Sequence, residues 1–269
     1  MTSRRLDLIR LDYAFAVLIP CLLPIFINNL KIIPHLDILI GFLFLSITGS
    51  TLNDALDRRN PREKETIERT KDFQWKELAA LSIVSGCLGI FLFIRTITEN
   101  LINAIFFALI IGFVIFYCLK KEIPILNQFL LATSHIIFPY LMIKADAGLL
   151  NSFPTVGEIF FLLALLIFGI CGETVHEIID SDAISSYSLK NQQKIVLITA
   201  VISIVCSLVA GLLLNEPVVY AVMVIPIGVI YAFRKPTKSS PGVKDIGIIM
   251  GNLVMLLLLV LIIQKNYQE

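Results

Sequence analysis

Nine long apolar runs separated by short polar connections dominate the chain, at roughly 12–32, 36–56, 77–97, 100–119, 124–143, 156–178, 194–213, 217–233 and 244–264. An α-helix needs about 20 mostly apolar residues to cross hydrocarbon, and each run is close to that length. None alternates in polarity over segments of about ten residues, as the strands of a membrane barrel do. The pattern predicts an all-α polytopic membrane protein, a bundle of nine transmembrane helices forming one domain over residues 1–269. The first run is longer than a signal-peptide core and lacks a small-x-small cleavage site, so it is expected to remain as a helix.

Composition sharpens this picture. Of 269 residues, 57% are hydrophobic and 16% charged, with a mean hydropathy of +0.86. Soluble domains are about 45–50% apolar and about 25% charged. A disordered chain, a disulfide scaffold and an ordinary soluble enzyme are excluded, and a net charge of +1 argues against a nucleic-acid partner. Cys21, Cys87, Cys118, Cys171 and Cys206 all lie in apolar stretches without CxxC spacing, and are expected to be small core residues.

The basic residues give an orientation. With the connections numbered alternately, one side holds Arg4, Arg5, Arg10, the seven Lys and Arg of 58–76, Lys120, Lys121, Lys190, Lys194, Arg234, Lys235, Lys238 and Lys244. That is 18 of the 22. Lys31, Arg95, Lys144 and Lys265 fall on the other. Cytoplasmic loops carry the excess of Lys and Arg, so the N-terminus is expected in the cytoplasm. The localisation expected is a bacterial inner membrane or its equivalent.

Two carboxylate groups close apolar helices on that same side. In the first, Asn53, Asp54 and Asp57 share a helix face, three and four residues apart. In the second, Glu173, Glu177 and Asp180 follow i, i+4, i+7, with His176 between them and Asp182 just beyond. Stacked like charges repel and are costly near a membrane, so something must offset them. Hard cations such as Mg²⁺ take carboxylate and amide oxygens and commonly bridge them to phosphates. Asn53, Asp54, Asp57, Glu177, Asp180 and Asp182 are therefore candidate Mg²⁺ ligands around a diphosphate. Arg58, Arg59, Arg69, Lys71, Lys120, Lys121 and Lys190 are available for the remaining phosphate charge.

These elements resemble the UbiA superfamily of intramembrane prenyltransferases. Asn53, Asp54 and Asp57 match its NDxxDxxxD motif, whose last Asp falls on Pro61 here. Glu173, Glu177, Asp180 and Asp182 match an acidic run after the sixth helix, whose final Asp falls on Ile184 and whose Lys is His176. The run Tyr117-Cys118-Leu119-Lys120-Lys121, followed by Pro124, matches a Tyr-x-x-x-Lys-type element that contacts diphosphate in the family. Two features depart: Asp12-Tyr13 stands where an Arg-Pro pair is common, and the Arg-Pro-x-x-x-Gly stretch after the first motif is replaced by residues 65–71.

The resemblance implies Mg²⁺-dependent transfer of an isoprenoid chain from an allylic prenyl diphosphate to a lipophilic, aromatic acceptor. Asp54, Asp57, Asp180 and Lys120 are implied as the catalytic set. Asn53, Arg58, Tyr117, Glu173, His176 and His135 are the substrate-binding candidates. Phe116, Tyr117, Phe138 and Tyr140 are candidates to face an allylic cation, or are packing residues. His135, a polar residue inside a membrane helix, either accepts a proton or hydrogen-bonds across helices. Asp12 orients an acceptor or caps its helix. A cyclase of the same superfamily, acting without acceptor, is the alternative, and a transporter is a third reading. Transporters carry their ionisable groups near the bilayer midplane, whereas these acids cluster at one interface.

Overall fold

The computed structural model describes residues 9–58, 64–120, 123–151, 154–180, 183–235 and 241–268; the side chains of Asp12, Cys118 and Asp180, and all of Lys121 and Asp182, fall outside that description. Among the described residues every regular element is helical, as expected. Six stretches are long and apolar enough to cross a membrane: Ile33–Asp57, Trp75–Glu99, Leu126–Asp146, Val156–Ile179, Leu189–Leu214 and Asp245–Asn266. The other three apolar runs form shorter helices, Phe15–Ile27, Leu101–Tyr117 and Pro217–Ala232. At 1.5 Å per residue the 13 residues of the first span about 20 Å.

In chain order the helices are α1 (Phe15–Ile27), α2 (Leu36–Asp57), α3 (Lys64–Arg69), α4 (Trp75–Glu99), α5 (Leu101–Leu119), α6 (Leu126–Ala132), α7 (Phe138–Asp146), α8 (Val156–Asp180), α9 (Leu189–Leu214), α10 (Pro217–Ala221), α11 (Val224–Ala232) and α12 (Pro241–Gln268). A 3₁₀ turn, Leu11–Tyr13, precedes α1. A π-helical turn, Thr133–Ile137, joins α6 to α7 in one continuous span.

Lipid supplies no hydrophobic force between helices, so association rests on close packing of small residues and on hydrogen bonds. The α2–α4 pair uses both. A Cβ on Gly89 would lie 3.3 Å from the Gly41 carbonyl. Ser82 Oγ donates to the Thr48 carbonyl at 3.0 Å, and the Thr48 and Ser85 hydroxyls pair at 3.0 Å. On α8–α9, Gly157 accommodates Leu213 and Leu214, and Ser203 Oγ donates to the Ala164 carbonyl at 3.0 Å. The core gathers Leu22, Leu23, Ile25, Ile38, Phe42, Phe93, Tyr140 and Phe161, all nearly inaccessible. Phe91, Leu101, Leu212 and Ile246 instead point outward, forming the apolar exterior that lipid requires. Cys21, Cys171 and Cys206 are buried as expected, but Cys87 is exposed on α4; in lipid an apolar side chain loses nothing by facing outward.

The end of the bundle where α2 begins is closed by ion pairs. His35 Nδ1 and Asp146 Oδ2 are 2.6 Å apart, and Arg95 bonds Asp37 at 2.7 Å and Asp146 at 3.3 Å. Thr96 Oγ1 donates to Asp146 Oδ1 and accepts from Asn103 Nδ2. Nearby, Lys144 Nζ lies 2.6 Å from Glu158 Oε1, which also accepts from the Tyr140 hydroxyl at 2.7 Å.

Candidate active site

At the other end of α2 the acidic face is built differently. Asp54 is fully buried, and its Oδ1 accepts from Arg69 Nη2 at 2.6 Å. Asn53 Nδ2 donates to Asp57 Oδ2 at 2.7 Å, as their i, i+4 spacing allows. Two buried acceptors remain with no donor among the described residues, Asp54 Oδ2 and Asn53 Oδ1. A buried acceptor without a partner costs about 1–3 kcal/mol, more when charged, so such a pair calls for an electropositive group. One carboxylate and one amide oxygen are the donor types a hard divalent cation takes, and the residues present fit Mg²⁺ to that extent. Among the described residues no group of three His, Cys, Asp or Glu side chains stands ready to hold a metal.

The loop cations have mixed roles. Arg58, the residue after α2, donates to the carbonyls of Thr70 and Lys71. It braces the turn after α3, and so places Arg69 on Asp54. Lys71 pairs with Glu68 at 2.6 Å, and that carboxylate holds its ammonium above the usual lysine range. Lys190 is exposed. Lys120 follows the last residue of α5, exposed, three residues after half-buried Tyr117; its carbonyl accepts from Asn127 Nδ2 at 2.9 Å.

An apolar cavity of about 220 Å³ opens between α1, the α6–α7 span, α8, α11 and α12. Among the described residues its polar lining is Tyr13, His135, Glu173 and His176. His176 meets the Tyr13 ring edge-on at 6.3 Å, and the Arg10 guanidinium lies 4.3 Å from the other partner of that contact, Tyr13. Glu177, one turn beyond Glu173, is buried instead; its Oε2 accepts from the Ile184 N–H at 3.2 Å and draws the turn Ala183–Ser186 back onto α8.

The structure thus brings Glu173, His176 and His135 to one cavity, and Asn53, Asp54 and Asp57 to one helix end. No α2 residue lines the cavity; the 3₁₀ turn carrying Tyr13 packs on both α2 and α12 and links the two places. The aromatic candidates are redistributed. Tyr140 is buried beside Glu158, Phe138 stacks on Phe106, and Phe116 is exposed. The rings that line the cavity are Tyr13, Phe15 and Phe168. Tyr13 was visible in the sequence as the departure Asp12-Tyr13. Phe15 and Phe168 carry no signal beyond hydrophobicity. Gln128, buried in α6 with neither amide atom bonded among the described residues, is a further polar residue that the apolar pattern hid.

Entry into α6 is strained. Ile125 has φ +70° and ψ −48°, with the Leu126 N–H bonding the Pro124 carbonyl at 2.8 Å. That is a γ-turn of the rare sign, at a β-branched residue.

A family model described as the UbiA prenyltransferase family matches residues 17–245. No curated protein and no solved structure matches the chain.

Proposed function

Because the chain belongs to the UbiA prenyltransferase family, we propose that it is a Mg²⁺-dependent enzyme moving an isoprenoid chain from an allylic prenyl diphosphate to a lipophilic, aromatic acceptor. The observation that carries this reading is the pair of donorless buried oxygens on Asp54 and Asn53 at the end of a membrane helix. In the same proposal the nine apolar helices all cross the membrane with the N-terminus in the cytoplasm, which the 18-to-4 division of basic residues supports.

Asn53, Asp54 and Asp57, with Glu177, Asp180 and Asp182 of the second acidic group, are the residues proposed to hold the metal. A bound divalent cation supplies neutralisation of the charge that develops on the departing diphosphate. Lys120 and Tyr117 bind phosphate oxygens, and Lys120 gains strength as negative charge grows on them. Arg58 serves by fixing the turn that delivers Arg69. Glu173 and His176 form the polar end of the cavity and orient the reacting head of the substrate. The apolar wall receives the isoprenoid tail and keeps water from the allylic cation, and the rings of Tyr13, Phe15 and Phe168 offer it their faces.

The test is mass spectrometry of lipids from cells expressing the protein, paired with purified protein given C10 to C20 prenyl diphosphates. Prenylated aromatic lipid that disappears on chelation and returns with Mg²⁺ is expected. A hydrocarbon product formed without acceptor would replace transfer by cyclisation, and no product from any donor would end the reading.

A further inference from the structure

His135 stands in the apolar wall of the cavity, on a helical turn that departs from α geometry. Pro139 lacks the N–H that would bond the His135 carbonyl in an α-helix, and widening the turn re-registers the residues around it. His135 and Ile136 both line the cavity. Gly169 of α8 fixes their position: a Cβ there would meet Ile136 Cδ1 at 2.5 Å and Ala132 Cβ at 3.0 Å.

The contacts of the imidazole favour one tautomer. Its Nδ1 lies 3.0 Å from the Leu131 carbonyl and 3.0 Å from Ser134 Oγ, and the Ser134 hydroxyl itself donates to Leu131. A carbonyl only accepts, so Nδ1 carries the proton and Nε2 keeps its lone pair. Among the described residues Nε2 has no hydrogen-bond partner. The interaction across helices considered from the sequence is therefore replaced by one within the helix, and the basic nitrogen is left for whatever occupies the cavity.

Resting on the transfer reading above, we infer that His135 Nε2 is the base that takes the acceptor's proton. The allylic C1–O bond breaks and its electron pair leaves with the diphosphate. A π electron pair of the aromatic acceptor forms the new C–C bond to C1. The proton on the attacked carbon passes to Nε2, its C–H electrons restore the aromatic ring, and the imidazolium keeps its Nδ1–H on Leu131. The proton then leaves by the polar end of the cavity, where Glu173 and His176 stand. Positioned bases contribute about 10²–10⁴-fold, so removing this one is a large effect.

His135→Asn and His135→Ala separate the roles. Asparagine offers an N–H to Leu131 but no base. Each variant is compared with the parent for prenylated lipid made in cells, for thermal protection by farnesyl thiodiphosphate with Mg²⁺, and for recovery with added imidazole. The expected result is product down at least 100-fold in both variants, donor protection unchanged, and partial recovery of His135→Ala by imidazole. Product within threefold of the parent in His135→Asn would overturn the assignment, because a hydrogen bond alone would then suffice. Loss of donor protection in both variants would also overturn it, making His135 a binding residue. A parent that makes no prenylated lipid would instead fail the transfer reading itself, and the base with it.

Discussion

The two ends of α2 bury comparable charge and treat it in opposite ways. Where the helix begins, Asp146 uses both oxygens, on His35 and Arg95 and on Thr96, and Glu158 Oε1 holds Lys144 and Tyr140 together. Asn103 Oδ1 is the buried acceptor left over there. Where the helix ends, Asp54 has one oxygen on Arg69, while its other oxygen and Asn53 Oδ1 have no donor among the described residues. A charge set whose members satisfy one another holds helices in place and has little left for a ligand. A set that stays incomplete in the folded protein stores desolvation cost that only a ligand relieves.

The sharpest way to break this contrast is at Glu158. Glu158→Ala leaves the Lys144 ammonium buried without its partner and should cost about 3–5 kcal/mol of stability, read by denaturant titration in micelles. Activity per folded molecule should be unchanged. Asp54→Asn should do the reverse. It keeps an acceptor for Arg69, so unfolding should barely move, while turnover falls about 100- to 1000-fold. Stability lost in Asp54→Asn as in Glu158→Ala would make the two ends alike.

Lys120 tests how far the functional end reaches. Lys120→Ala should lose about 2–4 kcal/mol of transition-state stabilisation in steady-state kinetics with saturating acceptor. Lys121→Ala, whose role is expected to be topological, should lose less than about 1 kcal/mol. Equal small losses would remove Lys120 from the site. The smallest effect is expected at Ile125: Ile125→Gly relieves a backbone conformation that costs about 1–3 kcal/mol, and after glycine's own entropic cost the protein should gain about 1 kcal/mol. A destabilised Ile125→Gly would show that the isoleucine side chain outweighs its backbone strain.

Hydrophobic periodicity determined the all-helical class and the apolar segments that form the helices. These are local properties: backbone groups in hydrocarbon must bond within their own segment, so a long apolar run has little choice but to be a helix. The i, i+4 spacing likewise brings Asn53 to Asp57 within a single helix, without any tertiary contact. Which member of each polar set stays open is decided between segments. Arg69 reaches Asp54 from 15 residues away, Glu177 turns to Ile184, and Arg58 bonds the carbonyls of the loop after α3. Tyr13 and Phe168 become cavity walls only because α1, α8 and α12 meet there. The tautomer of His135 depends on a π-helical turn that period 3.6 does not describe. Sequence spacing places a residue on a face of its own helix; what that face meets depends on the crossings of the others, and only the tertiary structure supplies them.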